Sequence, residues 1–88
     1  MAISLRLLNE IDEWTEDNPL RRWRLASDPI VSVRIVAILL KVSIQSIYLW
    51  ERGERKPDPK NIDGLKSLTG ICTLDVDWEY WSKHRPTI

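Results

Sequence analysis

The sequence predicts an all-α protein, a compact helical bundle of about five to six short helices. Apolar residues recur at three- and four-residue spacing through most of the chain, as one face of a helix requires. Capping residues stand where helices should begin: Asn18-Pro19 and Asp58-Pro59 each put a polar cap before a proline, and Ser32 and Ser43 precede apolar stretches. Gly53 and Gly70 stand where helices should stop. With 88 residues, 43% of them hydrophobic, and five tryptophans, the chain can fill one small core.

Three segments follow from this pattern. Residues 1–17 form an amphipathic N-terminal arm. Over Ile3–Glu16, Leu5, Leu8, Ile11 and Trp14 keep near-helical spacing, with Glu10, Asp12, Glu13 and Glu16 between them. Two placements are open for this helix, against the core or on a second subunit. Residues 18–71 form the central domain. Its first helix, Leu20–Ala26, turns Leu20 and Trp23 inward and Arg21 and Arg22 outward. The linker Ser27-Asp28-Pro29-Ile30 follows, and because Asp28-Pro29 can itself start a turn, the next helix begins at Ser32 or earlier.

The stretch Val33–Gly53 organises the domain. It reads as two short helices joined by a tight turn, capped by Ser32 and Ser43. Val36, Ala37 and Leu40 share one face of the first, and Ile47 and Trp50 share one face of the second. Such a pair is a helix-turn-helix. After Asp58-Pro59, a further helix turns Ile62, Leu65 and Leu68 to the core despite Gly64 inside it. Residues 72–88 form an aromatic-rich tail with Leu74, Val76, Trp78, Tyr80 and Trp81, a last short helix starting near Asp75 or Asp77, and an end at Pro86. Its rings must bury on the core or across an interface, with a partly intersubunit role favoured.

The chain resembles a known family on Leu20…Arg24, Ser32…Ala37…Leu40, Val42-Ser43…Ile47, Trp50-Glu51-Arg52-Gly53, Lys56-Pro57 and Ile62…Leu65…Leu68 closing on Gly70-Ile71. It is similar there to the lambda-repressor-like domains of the Cro/CI/XRE type, over roughly residues 19–71. Lys41 departs from the glycine usual in the turn, at a cost of roughly 1 kcal/mol if its φ is positive. Val33 departs from the glutamine that often holds a phosphate. The resemblance implies that Arg24 and Glu51 form a buried structural ion pair, and that the tail contributes to a dimer contact.

Net charge is zero, yet it is unevenly spread. Residues 1–17 carry one base against five acids, residues 18–66 ten bases against five acids, and residues 67–88 two against three. The excess of base coincides with the helix-turn-helix, which suits a polyanionic partner. If the second motif helix enters the major groove of double-stranded DNA, Ile44, Gln45, Ser46, Tyr48 and Leu49 face the bases. Gln45 is the clearest reader, since a carboxamide both donates and accepts at adenine. Arg34, Lys41, Ser43, Arg52, Arg55, Lys56 and Lys60 are then the phosphate contacts.

The first motif helix also carries more apolar surface than one core face needs. Ile35, Ile38 and Leu39, with Ile44 and Leu49, form a patch that either the N-terminal arm covers or a partner does. Trp78 and Trp81 join Ile35, Ile38 and Leu39 as candidate protein-interface residues.

Chemistry is nearly absent from the sequence. His84 stands alone, the three glycines are isolated, and Asp75, Asp77 and Glu79 read as an acidic helix start. No enzyme, metal or cofactor is expected. Cys72, the one cysteine, reads as a half-buried small hydrophobe. No apolar run approaches the ~20 residues of a membrane span and no signal peptide is visible, so the expected location is cytoplasmic, on the nucleoid. Two functions remain. One is a sequence-specific DNA-binding regulator, a repressor of prokaryotic, phage or mobile-element origin, acting as a homodimer. The other is a helix-turn-helix adaptor that binds another protein through its apolar motif surface.

Overall fold

Asn18 starts the chain into its core. In the computed structural model, which describes residues 5–86, its side-chain oxygen accepts from the N–H groups of Leu20 and Arg21, both at 3.0 Å. Pro19 occupies the first helical position, where no N–H is needed. Ser32, Ser43 and Asp58 cap in the same way, accepting from Ile35, Ser46 and Asn61 at 3.2, 3.1 and 3.1 Å. The resulting helices are α1 (Leu5–Glu16), α2 (Pro19–Ala26), α3 (Val33–Leu40), α4 (Ile44–Glu51), α5 (Pro59–Thr69) and α6 (Leu74–Lys83). No strand occurs among the described residues. Ile3, the expected start of the first helix, lies outside them.

The stops are equally local. Lys41 takes the left-handed conformation at φ 58° that the turn requires, and Gly53 and Gly70 take it at φ 72°. The linker forms no helical turn at Asp28-Pro29, so α3 starts at Val33 with Ser32 as its cap.

Packing builds one core from these pieces. Leu20, Val36, Ile47, Leu65, Leu74 and Trp78 are fully buried, each contributing about 1.5–3 kcal/mol by leaving water. Helix α3 packs on α4 and α5, α6 packs on α2 and α5, and α1 runs against α2. Gly64 belongs to this packing. A Cβ there would stand 2.6 Å from Cδ2 of Leu40, so its absence lets α3 and α5 approach.

Arg24 and Glu51 pair as the resemblance implied. Nε and Nη2 of Arg24 donate to Oε2 and Oε1 of Glu51, both at 2.7 Å, with both side chains buried. Nη1 of Arg24 donates to the carbonyl of Val31 at 3.1 Å, which holds the linker down. One arginine therefore ties α2, the linker and α4 together.

Two sequence expectations need correction, and one open alternative is decided. Trp78 and Trp81 are buried within the chain and offer no surface to a partner, because α6 turns them onto the core. The Trp81 ring stacks on Trp14 of α1, with centroids 4.0 Å apart and planes 2° apart. Each indole N–H donates to the other residue's carbonyl, at 2.8 Å from Trp14 and 2.7 Å from Trp81. The open alternative is the placement of α1, which is clasped to α6 and runs along α2 of its own chain, so it does not cover the apolar face of α3. The second correction is Cys72, expected half-buried but exposed in the turn before α6.

Gly53 lies under the clasp. A Cβ on it would stand 2.3 Å from Cη2 of Trp14, and its φ is already positive. Gly53→Ala should therefore lose about 2–4 kcal/mol in urea unfolding, from overpacking plus left-handed strain. Gly64→Ala should stay within about 1 kcal/mol of the parent, since the end of Leu40 can turn aside and alanine favours the helix. Equal losses at both positions would contradict the rigidity of the clasp. Glu51→Gln or Arg24→Met should each cost about 3–5 kcal/mol by leaving a buried charge unpaired, whereas the double change Arg24→Met with Glu51→Leu should recover most of that loss.

Candidate nucleic-acid interface

The chain direction turns by 114° between α3 and α4 across the three residues Lys41–Ser43. That angle and turn length are those of a helix-turn-helix unit. Two interactions hold the turn: the Val42 N–H donates to the Ala37 carbonyl at 3.0 Å, and the left-handed Lys41 redirects the chain. Helix α4 then buries Ile47, Trp50 and Glu51 on one side and leaves its other side outward.

The outward side carries the residues proposed from sequence as base contacts. Ile44, Gln45 and Tyr48 are exposed, and Ser46 and Leu49 are half-buried. Gln45 makes no side-chain hydrogen bond among the described residues, so its carboxamide is free to bond a ligand. Ser46 is less free, since its hydroxyl lies 2.9 Å from that of Ser43 and its own N–H is capped by Ser43. Ser43, proposed for phosphate contact, is thus committed first to capping α4. The cap leaves the start of α4 exposed, as entry into a groove requires.

The basic residues divide into two sets. Arg34, Lys41, Arg55 and Lys60 are exposed and, among the described residues, have no carboxylate partner within ion-pair distance. Arg34 stands at the start of α3, Lys41 in the turn and Arg55 just beyond α4, whose end is closed by the Arg55 N–H donating to the Leu49 carbonyl at 3.2 Å. Arg52 is exposed but pairs with Glu54 at 3.2 Å. Lys56 is drawn to α6, where its ammonium pairs with Glu79. It lines a groove of about 910 Å³ between α5 and α6, together with Pro59, Ile62, Lys66, Val76 and Tyr80. Sequence spacing carries no sign of this pairing, which joins a loop residue to one 23 positions further on in α6.

Electrostatics on the α5–α6 side are those of structural pairs. The Lys66 ammonium, 3.0 Å from Asp75, holds that carboxyl below the usual carboxylate range. The Lys56 ammonium, hydrogen-bonded to Glu79, lowers its carboxyl likewise, with Lys83 adding a smaller effect. On the motif side, Val33 is buried and serves the core. Ile35, Ile38 and Leu39 are exposed.

No group of three metal-ligating side chains forms among the described residues, and no single helix there is long and apolar enough to cross a membrane. No family model, curated protein or solved structure matches the chain.

The acidic pairs predict a pH dependence. Both carboxyls are lowered in the folded state, so their contribution is present above their unfolded values and is lost as pH falls through the folded ones. Thermal melts of the parent and of Lys56→Met/Lys66→Met should differ at neutral pH and converge in acid. A difference that persists undiminished below the folded values would assign it to packing of the lysine stems instead.

Proposed function

We propose that this chain is a sequence-specific DNA-binding regulator of the lambda-repressor-like type, with α4 as the recognition helix in the major groove. The observation that carries the reading is the outward side of α4. Gln45 and Tyr48 are exposed there, the free bases Arg34, Lys41 and Arg55 flank it, and Arg24–Glu51 fixes the opposite side. Base contact falls to Gln45, with Ile44 and Leu49 against thymine methyls and sugars, the Tyr48 ring at the groove edge and Ser46 as a further polar contact. Phosphate contact falls to Arg34, Lys41, Arg55 and Lys60, with Arg52 joining after it leaves Glu54.

The regulator acts as a repressor by occluding a promoter, as a homodimer on half-sites about one helical turn apart. It needs no cofactor or catalysis, and its place is the cytoplasm of a prokaryote, on the chromosome or a mobile element. The exposed apolar face of Ile35, Ile38 and Leu39 favours a second reading, an adaptor for another protein.

Selection of bound duplexes from a random pool near physiological salt separates the two. Enrichment of a two-fold symmetric site is expected. Gln45→Ala should then lose roughly 1–3 kcal/mol at one position of the site and relax specificity there. Arg55→Ala should weaken all duplexes alike and reduce the salt slope by about one. No enrichment by folded protein would overturn the regulator and leave the adaptor.

A further inference from the structure

Helix α3 is apolar all the way round. In Val33-Arg34-Ile35-Val36-Ala37-Ile38-Leu39-Leu40 only Arg34 is polar. Val33, Val36 and Ala37 face the core, yet Ile35, Ile38 and Leu39 stand on the opposite side, with Ile38 66% and Leu39 58% exposed. A helix of that composition is ordinarily enclosed on both sides. The uncovered stripe has a basic rim, Arg34 at one end and Lys41 at the other, and neither is ion-paired among the described residues.

Helix α1 has the complementary character. Trp14 in its last turn is its one buried residue, while Leu5 is 77% exposed and Leu8 also faces solvent. Glu10, Asp12, Glu13, Glu16 and Asp17 give this segment a strong negative charge. The Trp14–Trp81 clasp holds it against α2, away from the α3 stripe of its own chain.

We propose that α1 of one copy docks on the α3 stripe of a second copy, with Leu5 and Leu8 against Ile35, Ile38 and Leu39 and the α1 acids facing Arg34 and Lys41. The exchange is reciprocal about a two-fold axis. Giving and receiving one arm each makes the contact twice in one closed interface, the form a two-fold dimer takes. The pairing gives the homodimer of the proposed regulator its interface and takes Arg34 and Lys41 out of the phosphate contacts, which leaves those to Arg55 and Lys60. Its test contains no DNA, so loss of the dimer and loss of duplex binding are read separately.

Sedimentation equilibrium of the full chain from micromolar to millimolar concentration reads it directly. A dimer is expected, weakened by raised salt because the facing charges are exposed. Leu8→Glu and Ile38→Glu should each raise the dimer dissociation constant at least tenfold, with helix content by circular dichroism unchanged. Mixing the two variants should restore association above that of either alone, since the arm of Ile38→Glu can still dock on the stripe of Leu8→Glu. A monomer throughout, a dimer indifferent to both changes, or a mixture no stronger than its parts would overturn the proposal. Open-ended oligomers sensitive to both changes would overturn the two-fold closure.

Discussion

The bidentate pair of Arg24 and Glu51 is the contact on which the orientation of the outward helix depends. Glu51 closes the buried side of α4, and Arg24 reaches it from α2 while holding the Val31 carbonyl of the linker. Water is excluded from both side chains, so the geometry is enforced: an alternative packing of α4 would strand two charges where they cannot be solvated. An apolar contact would have stabilised the core as well, but it would tolerate a rotation of α4 about its axis. A planar fork does not. Whatever Gln45 and Tyr48 meet, they meet it in an orientation set from the opposite side of the same helix.

A second constraint joins residues far apart in sequence. Trp14 and Trp81 stack and exchange N–H bonds with one another's carbonyls, and Trp78 packs edge-on against Trp81 at 5.9 Å. Both indole donors are thereby satisfied in a dry setting, which an aromatic pair needs as much as it needs area. The clasp also explains Gly53. The same glycine that ends the motif by its left-handed φ must lack a side chain because an indole covers it. Motif and flanking helices are thus fitted to one another at a single residue.

What could be read from the sequence was what acts within a turn or two of itself. Asn18, Ser32, Ser43 and Asp58 cap helices because their own neighbours present unpaired N–H groups, and Lys41 sits left-handed because a three-residue turn demands it. Helical spacing likewise singled out Leu20, Val36, Ile47, Ile62 and Leu65 for the core. What escaped was non-local. By propensity alone Gly64 weakens a helix, and only Leu40 beside it gives it a packing role; by spacing alone Lys56 is a free base, and only Glu79 opposite pairs it. Trp78 and Trp81 announced that they must be buried, but nothing near them in sequence distinguishes the chain's own core from a partner's. The outward side of α4 was legible as a stripe, while the freedom of Gln45 and the engagement of Ser46 depend on rotamers that spacing does not encode.

The Trp14–Trp81 clasp spans 67 positions of the chain, far more than the neighbouring contacts between successive helices. Closing so long a loop costs entropy that is recovered only after the intervening helices have already drawn its ends together. The contacts of the motif and α5 close shorter loops than the clasp does, so the clasp is among the contacts that depend most on the rest of the core being in place. Excursions that free α1 without melting the core should then be the lowest-lying openings of the molecule, well below its global unfolding. In such an excursion Gly53 loses its indole cover and the backbone behind α4 is wetted, though Arg24 still holds the helix in place.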